Sequence, residues 1–148
     1  MKLSPHFDLS EMITSREAVS KGIDNTPTEE IIENLRWWAN NMEAVRAELG
    51  HPIVVTSGYR CQRLNEAVGG VLNSDHVYGL AGDFICPGFG TPAQICDRLA
   101  FSGIPYKQLI LEYDAWVHMS FPPPGVTPRR QRLRKVYGVP GYLDGFSA

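Results

Sequence analysis

The segment between Thr26 and Gly50 constrains the fold more than any other part of the sequence. Thr26 is suited to cap a helix, Pro27 to its first position, and Glu29 stands three residues after the cap, where a capping box needs it. Apolar residues then recur every three or four positions until Gly50, a natural helix end: Ile31, Ile32, Leu35, Trp38, Ala39, Met42, Val45 and Leu49. The pattern predicts one long helix that packs a broad face against a core.

Shorter patterns predict a sheet and two further helices. Strand-like runs occupy 53–56 and 80–86, and two extended runs at 108–113 and 116–121, separated by a very short link, predict a hairpin. Helical stretches are predicted near 62–68 and, from a second capping pattern, over 91–99. Because hairpin strands run in opposite directions, the sheet is expected to be at least partly antiparallel.

The last part of the chain has no evident core pattern. Prolines follow residue 121, a basic stretch runs from Arg129 to Lys135, and the remainder is rich in glycine. We therefore expect a core over about 5–121 and a basic, Gly/Pro-rich tail over 122–148.

Length and charge favour one domain without a nucleic-acid or membrane partner. With 148 residues, 43% of them apolar and 20% charged, the chain can bury one core, so a single domain over 1–148 is expected, and we expect a monomer. A net charge of −2 gives no electrostatic reason to bind DNA, RNA or an anionic membrane. Three cysteines without a Cys-x-x-Cys pair are expected to be reduced thiols. The sequence shows no apolar leader, which predicts synthesis in the cytoplasm.

His76, Asp83 and His118 are candidate metal ligands, because each lies in or beside a predicted strand. Two imidazoles and one carboxylate form many catalytic zinc sites, where three protein ligands leave the fourth position open for water. Bound zinc lowers the pKa of that water to about 7. On residue type and spacing alone, hydrogen-bonded structural histidines remain the alternative.

Several short stretches of the sequence carry a specific combination of residues: Ser57-Gly58-Tyr59-Arg60, Asn65, Val68-Gly69-Gly70, Ser74-x-His76-x-x-Gly79-x-Ala81-x-Asp83 and Trp116-Val117-His118-Met119-Ser120. Together they resemble the zinc D-alanyl-D-alanine carboxypeptidase family, whose members include phage endolysins that cleave L-alanyl-D-glutamate bonds. The resemblance runs from Phe7-x-Leu9-Ser10-Glu11 to Phe121. It implies that zinc is held by the two histidines and the aspartate. It also implies a small α+β domain like that of Hedgehog and D-Ala-D-Ala peptidases, with a mainly antiparallel sheet, helices on one face and the zinc site in a cleft on the other.

The general base is less clearly marked. Related enzymes often carry a carboxylate three residues before the last histidine ligand, where this chain has Ala115, so Glu112 and Asp114 compete for the role. The branch that the sequence most resembles favours Glu112. A three-residue hairpin loop of Asp114-Ala115-Trp116 would pair Glu112 with His118 on the metal side, whereas a two-residue loop would pair it with Val117 and turn it away. An aspartate in a tight turn usually bonds its own backbone.

Four residues are candidates for substrate binding. Arg60 can clamp a carboxylate or stabilise an oxyanion, so it also counts as a candidate catalytic residue. Tyr59 and Trp116 are expected to line the substrate cleft, although aromatic residues beside strands are more often core residues. Ser74 is expected to serve in a turn and in hydrogen bonds close to the metal.

The resemblance implies zinc-dependent hydrolysis of a peptide bond in peptidoglycan stem peptides. It favours a phage or prophage endolysin that cuts L-Ala-D-Glu and acts on the cell wall after release. A D-Ala-D-Ala carboxypeptidase or dipeptidase is an alternative, which a cleft closed at one end would favour. A non-catalytic zinc-stabilised module, binding the wall or belonging to a phage particle, is kept open by the missing acid at Ala115.

Overall fold

A computed structural model describes residues 1–147 of the protein. The helices are α1 (Leu9–Ile13), α2 (Arg16–Ser20), α3 (Glu29–Leu49), α4 (Gln62–Ala67) and α5 (Pro92–Ala100). The strands are β1 (Lys2–Ser4), β2 (Phe7–Asp8), β3 (Val54–Ser57), β4 (Ala81–Ile85), β5 (Gln108–Glu112), β6 (Trp116–Ser120), β7 (Gln131–Lys135) and β8 (Leu143–Asp144). No helix within the described residues is long and apolar enough to cross a membrane.

The long helix α3 begins later than its sequence pattern predicts. Its N-cap is Thr28, whose side chain accepts a hydrogen bond from the backbone N–H of Ile31 at 3.3 Å. The predicted cap, Thr26, lies outside the helix, and its N–H donates to the Asp24 carboxylate at 2.9 Å. The predicted end is confirmed, since Gly50 terminates the helix at φ 67°, a left-handed conformation that glycine adopts without strain.

The sheet is mostly antiparallel, as the sequence predicts. Its strand order is β3-β4-β6-β5-β7-β8, and every neighbouring pair is antiparallel except β5 and β7. The four strands and two shorter helices predicted from the sequence occur within one residue of their expected ends. A separate two-stranded sheet, β1 with β2, lies against α3.

One face of the sheet packs against the helices. The core on that side combines α3 and α5 with alternate residues of the central strands, including Phe84, Leu109, Leu111, Val117 and Met119. Gly82 of β4 permits the closest approach, because a Cβ at this position would lie 2.4 Å from the Trp38 ring of α3. The Trp38 indole then donates a hydrogen bond to the Met119 carbonyl at 3.0 Å. The opposite face is left free for polar side chains, as the resemblance implies.

The sheet extends into the segment that was expected to be a tail. Strand β7 lies within 122–148 and pairs in parallel with β5, and β8 pairs with β7. Leu133, at the centre of β7, is 5% exposed. The expectation of a core ending at residue 121 is therefore wrong for 131–135. The basic residues concealed the strand, because one buried side chain among charged neighbours leaves almost no pattern of alternation.

Candidate metal centre

Two rows of side chains cross the free face of the sheet. Cross-strand partners share a face, so the pairing of Asp83 with His118, and of His118 with Ile110, places these side chains in one row. Two residues further along β5, Glu112 pairs with Trp116 and lies in the neighbouring row on the same face. The strand register alone therefore brings a histidine and two carboxylates to one side of the sheet.

His76 enters the site from the loop that precedes β4. The Ser74 hydroxyl accepts a hydrogen bond from the backbone N–H of His76 at 3.2 Å, which shapes this loop. The His76 ring lies with Nδ1 2.6 Å from the Gly58 carbonyl oxygen. Since a carbonyl can only accept, Nδ1 carries the proton and Nε2 presents a lone pair to the site. Gly58 is required at this point, because a Cβ there would lie 2.4 Å from the Met12 carbonyl.

The three candidate ligands meet at a single carboxylate oxygen. Asp83 Oδ1 lies 3.2 Å from His76 Nε2 and 3.0 Å from His118 Nδ1, and all three side chains are buried. One ligand atom from each residue falls within 4.8 Å of the others. This arrangement confirms that the sequence motif assembles a cluster with the spacing of a metal site.

The protonation of the cluster fits zinc. Burial lowers the pKa of His76, so the ring is neutral and its Nε2 lone pair faces the Asp83 carboxylate. Burial raises the pKa of Asp83, but the two neighbouring imidazoles outweigh burial and hold the pKa below its usual value. Two acceptors that face each other across 3.2 Å need a cation between them. A neutral imidazole, an ionised carboxylate and a second imidazole are the donors that catalytic zinc sites use.

Glu112 lies on the metal side, although through a register that the sequence did not suggest. It pairs with Trp116, not with His118 or Val117, because the hairpin loop consists of residues 113–115. Alternation along β5 nevertheless keeps Glu112 on the face that carries His118. Asp114 is exposed at the tip of this loop with φ 54°, and it is absent from the lining of the cleft among the described residues.

The surroundings of Glu112 shift its pKa in a way that suits an acid or base catalyst. Its pKa is raised above the ordinary glutamate value because the side chain is largely buried and the Asp83 carboxylate repels its charge. The Trp116 indole opposes this shift by donating a hydrogen bond from Nε1 to Glu112 Oε2 at 3.1 Å. A carboxylate with a raised pKa in a cleft suits proton transfer near neutral pH.

Arg60 points its guanidinium into the same cleft. Burial lowers its pKa, while the Asp83 and Glu112 carboxylates act in the opposite sense. Its Nε is buried and finds no hydrogen-bond partner among residues 1–147. An unpartnered buried donor is costly, so it marks a position where a substrate oxygen would be well received.

Two of the remaining candidates lie in the cleft and one does not. Ser74 and Trp116 line the cleft. Tyr59 does not line this cleft, and its side chain, 9% exposed, packs into the main core instead. Tyr59 is therefore not a residue of this cleft, contrary to the expectation. Its backbone is held in place by two hydrogen bonds: its N–H donates to Met12 O at 2.6 Å, and its carbonyl accepts from the Asn25 amide at 3.0 Å.

The cleft has a volume of about 430 Å³ and contains residues that the sequence did not single out. Asp75 binds the Lys107 ammonium through both carboxylate oxygens, at 3.0 and 2.9 Å. Lys135 and Tyr142 come from the segment expected to be a tail. Asp75 stands next to His76 and could have been suspected from the motif, whereas Lys135 was marked only as part of a basic stretch and nothing in the sequence marked Tyr142.

Comparison with known proteins identifies the family. The family model described as peptidase M15 matches residues 5–120, which is most of the chain and contains all three candidate ligands, Arg60 and Glu112. A comparison with curated proteins gave no match. Members of the matched family are zinc-dependent peptidases of peptidoglycan, and the cluster of His76, Asp83 and His118 fits that metal. The chain therefore belongs to the peptidase M15 family and is a zinc metallopeptidase.

Proposed function

We propose that the protein is an endolysin-type endopeptidase that cleaves the L-Ala-D-Glu bond of peptidoglycan stem peptides as a monomer. The observation that carries this proposal is the position of Glu112, on the sheet face that bears His118, half-buried in the cleft and hydrogen-bonded by Trp116. A non-catalytic wall-binding module would have no use for a carboxylate with a raised pKa at this place.

The chain's own residues divide the work of amide hydrolysis. His76, Asp83 and His118 would hold zinc, which would supply polarisation of the scissile carbonyl and a lowered pKa of water. Glu112 takes the proton from the attacking water and delivers it to the leaving amine, as its raised pKa suits both transfers. We assign the base to Glu112 because Asp114 is exposed in the hairpin loop.

Arg60 is assigned to the substrate. Its buried, unpartnered Nε faces a cleft that holds no ligand for it among the described side chains. A guanidinium in this position can bind a stem-peptide carboxylate or the oxyanion that develops during attack. Stem peptides carry several carboxylates, which matches a cleft lined by Arg60, Lys107, Arg129 and Lys135.

The test is digestion of purified peptidoglycan by the zinc-loaded protein, followed by mass analysis of the new peptide termini. Release of peptides that begin with D-glutamate supports the proposal. Release of D-alanine alone would show a D-Ala-D-Ala carboxypeptidase and overturn the assignment of the bond. Intact peptidoglycan in the presence of stoichiometric zinc would favour a non-catalytic role.

A further inference from the structure

The row that contains Glu112 continues into the C-terminal segment. In the parallel pair of β5 and β7, Glu112 lies opposite Lys135. In the pair of β7 and β8, Leu133 lies opposite Asp144 and Arg134 opposite Leu143, so the same register brings Tyr142 beside Lys135. Trp116, Glu112, Lys135 and Tyr142 thus form one row across adjacent strands, and all four line the cleft.

Lys135 is a cation without an ionic partner among residues 1–147. Its ammonium nitrogen lies 4.8 Å from the centre of the Tyr142 ring, a cation–π contact that holds the side chain in place without neutralising its charge. Two other basic groups nearby are engaged. Lys107 is bound by both oxygens of Asp75, and Arg134 donates to backbone carbonyls that include Asp144 O at 2.6 Å.

The position of Lys135 defines which part of a substrate it can reach. Neighbouring strands lie about 4.8 Å apart, so its backbone is one strand spacing from that of Glu112. A peptide whose scissile amide lies beside Glu112 would therefore place the groups next to that amide within reach of the Lys135 side chain. In a stem peptide the D-glutamate is joined to L-alanine through its amino group and to the following residue through its side-chain carboxyl, which leaves its α-carboxylate free next to the scissile L-Ala-D-Glu amide.

We propose that Lys135, held by Tyr142, is a specificity-determining residue that binds the free carboxylate adjacent to the scissile bond. The proposal rests on the proposed L-Ala-D-Glu activity and deepens it. It gives a role to 129–142, which lie beyond the matched family region of 5–120. Lys135 is a binding residue, separate from the proton transfer by Glu112.

A pair of synthetic stem peptides tests the proposal. The two peptides differ only at the D-glutamate, which carries either its free α-carboxylate or the corresponding carboxamide. The zinc-loaded wild type is expected to cleave the carboxylate peptide with a roughly ten- to hundredfold higher kcat/KM, the range of a charge-assisted hydrogen bond. Most of the difference is expected in KM.

Variants separate binding from an effect on Glu112. Lys135→Ala should remove the preference by slowing only the carboxylate peptide, and Lys135→Arg should restore it. Lys21→Ala is the matched control, because Lys21 pairs with Glu17 on a short surface helix away from the cleft. If Lys135 acted only by lowering the pKa of Glu112, Lys135→Ala would slow both peptides equally and shift their pH profiles together.

Four outcomes would overturn the carboxylate subsite at Lys135. A wild type that cleaves both peptides equally well, or a preference that survives in Lys135→Ala, overturns the carboxylate subsite and leaves the proposed function intact. Equal slowing of the cleavage of both peptides by Lys135→Ala also overturns the carboxylate subsite. Failure of the wild type to cleave either peptide at the L-Ala-D-Glu bond overturns the proposed function, and the subsite with it.

Discussion

The indole Nε1 of Trp116 donates a hydrogen bond to Oε2 of Glu112 at 3.1 Å, across the β5–β6 hairpin. The two residues are direct cross-strand partners, so the register that places Glu112 on the metal side also supplies the donor that orients it. Trp116 is thus more than a wall of the cleft. It fixes one oxygen of the proposed base and stabilises its charged form.

Trp116→Phe should shift the pH dependence of activity. The hydrogen bond favours the charged carboxylate, so its loss raises the pKa of Glu112 further. Because the base acts only when deprotonated, the acid limb of the kcat/KM profile should move to higher pH. Trp37→Phe is the matched control, since its indole donates to Pro122 O, away from the cleft. An unshifted acid limb in Trp116→Phe would contradict the orienting role.

Removal of one ligand should abolish zinc binding. His118→Ala deletes one of three donors, and the two that remain cannot complete a catalytic zinc site. We expect loss of bound zinc after dialysis, loss of peptidase activity, and loss of the rise in melting temperature that zinc gives the wild type. His6→Ala serves as control, because His6 pairs with Glu43 at the surface. Stoichiometric zinc retained by His118→Ala would refute the ligand assignment.

Gly82→Ala should destabilise the fold without touching the site. The added Cβ would lie 2.4 Å from the Trp38 ring, forcing α3 away from the sheet. Overpacking of this kind costs about 1–3 kcal/mol in the free energy of unfolding, which denaturant titration measures. Gly103→Ala, where a Cβ meets no atom within 4 Å, should change stability by no more than about 0.5 kcal/mol. Equal effects of the two substitutions would count against the packing described.

Leu133→Ala tests whether the C-terminal segment belongs to the sheet. Leu133 is 5% exposed and lies opposite Ile110 in the parallel pair. Its truncation should lower the free energy of unfolding by about 2–3 kcal/mol. Val139→Ala, in the same segment but 40% exposed, should have little effect. A neutral Leu133→Ala would mean that residues after 121 form a tail after all.

Local sequence patterns predicted most of the fold because the apolar residues that form these patterns are the ones that the structure buries. The long helix ends at Gly50 as expected, since its apolar spacing and its terminator are both local signals. The start of the helix was misplaced because Thr26 and Thr28 both suit a cap, and only the structure shows that Thr28 accepts the capping bond from Ile31.

The sequence predicted which residues form the candidate site better than it predicted how they are arranged. The motif identified His76, Asp83 and His118, and the structure brings them together. The hairpin register could not be read from the sequence, because Tyr113 and Asp114 both adopt positive φ, which neither residue type signals strongly.

The remainder of the site depends on distant contacts. Lys135 reaches the cleft through a parallel pairing between β5 and β7, which lie about twenty residues apart in the chain. Its neighbours in sequence are basic, so no alternation of apolar and polar residues marked this strand. Long-range pairing of this kind leaves no local trace.

The most direct test of the account is the rate of peptidoglycan cleavage by zinc-loaded Glu112→Gln beside the wild type, with bound zinc measured in the same samples. The substitution keeps the size of the side chain and removes the base. We predict full zinc occupancy and a rate lower by about two to four orders of magnitude. Cleavage at the wild-type rate by a zinc-loaded Glu112→Gln protein would contradict the assignment of Glu112 as the base.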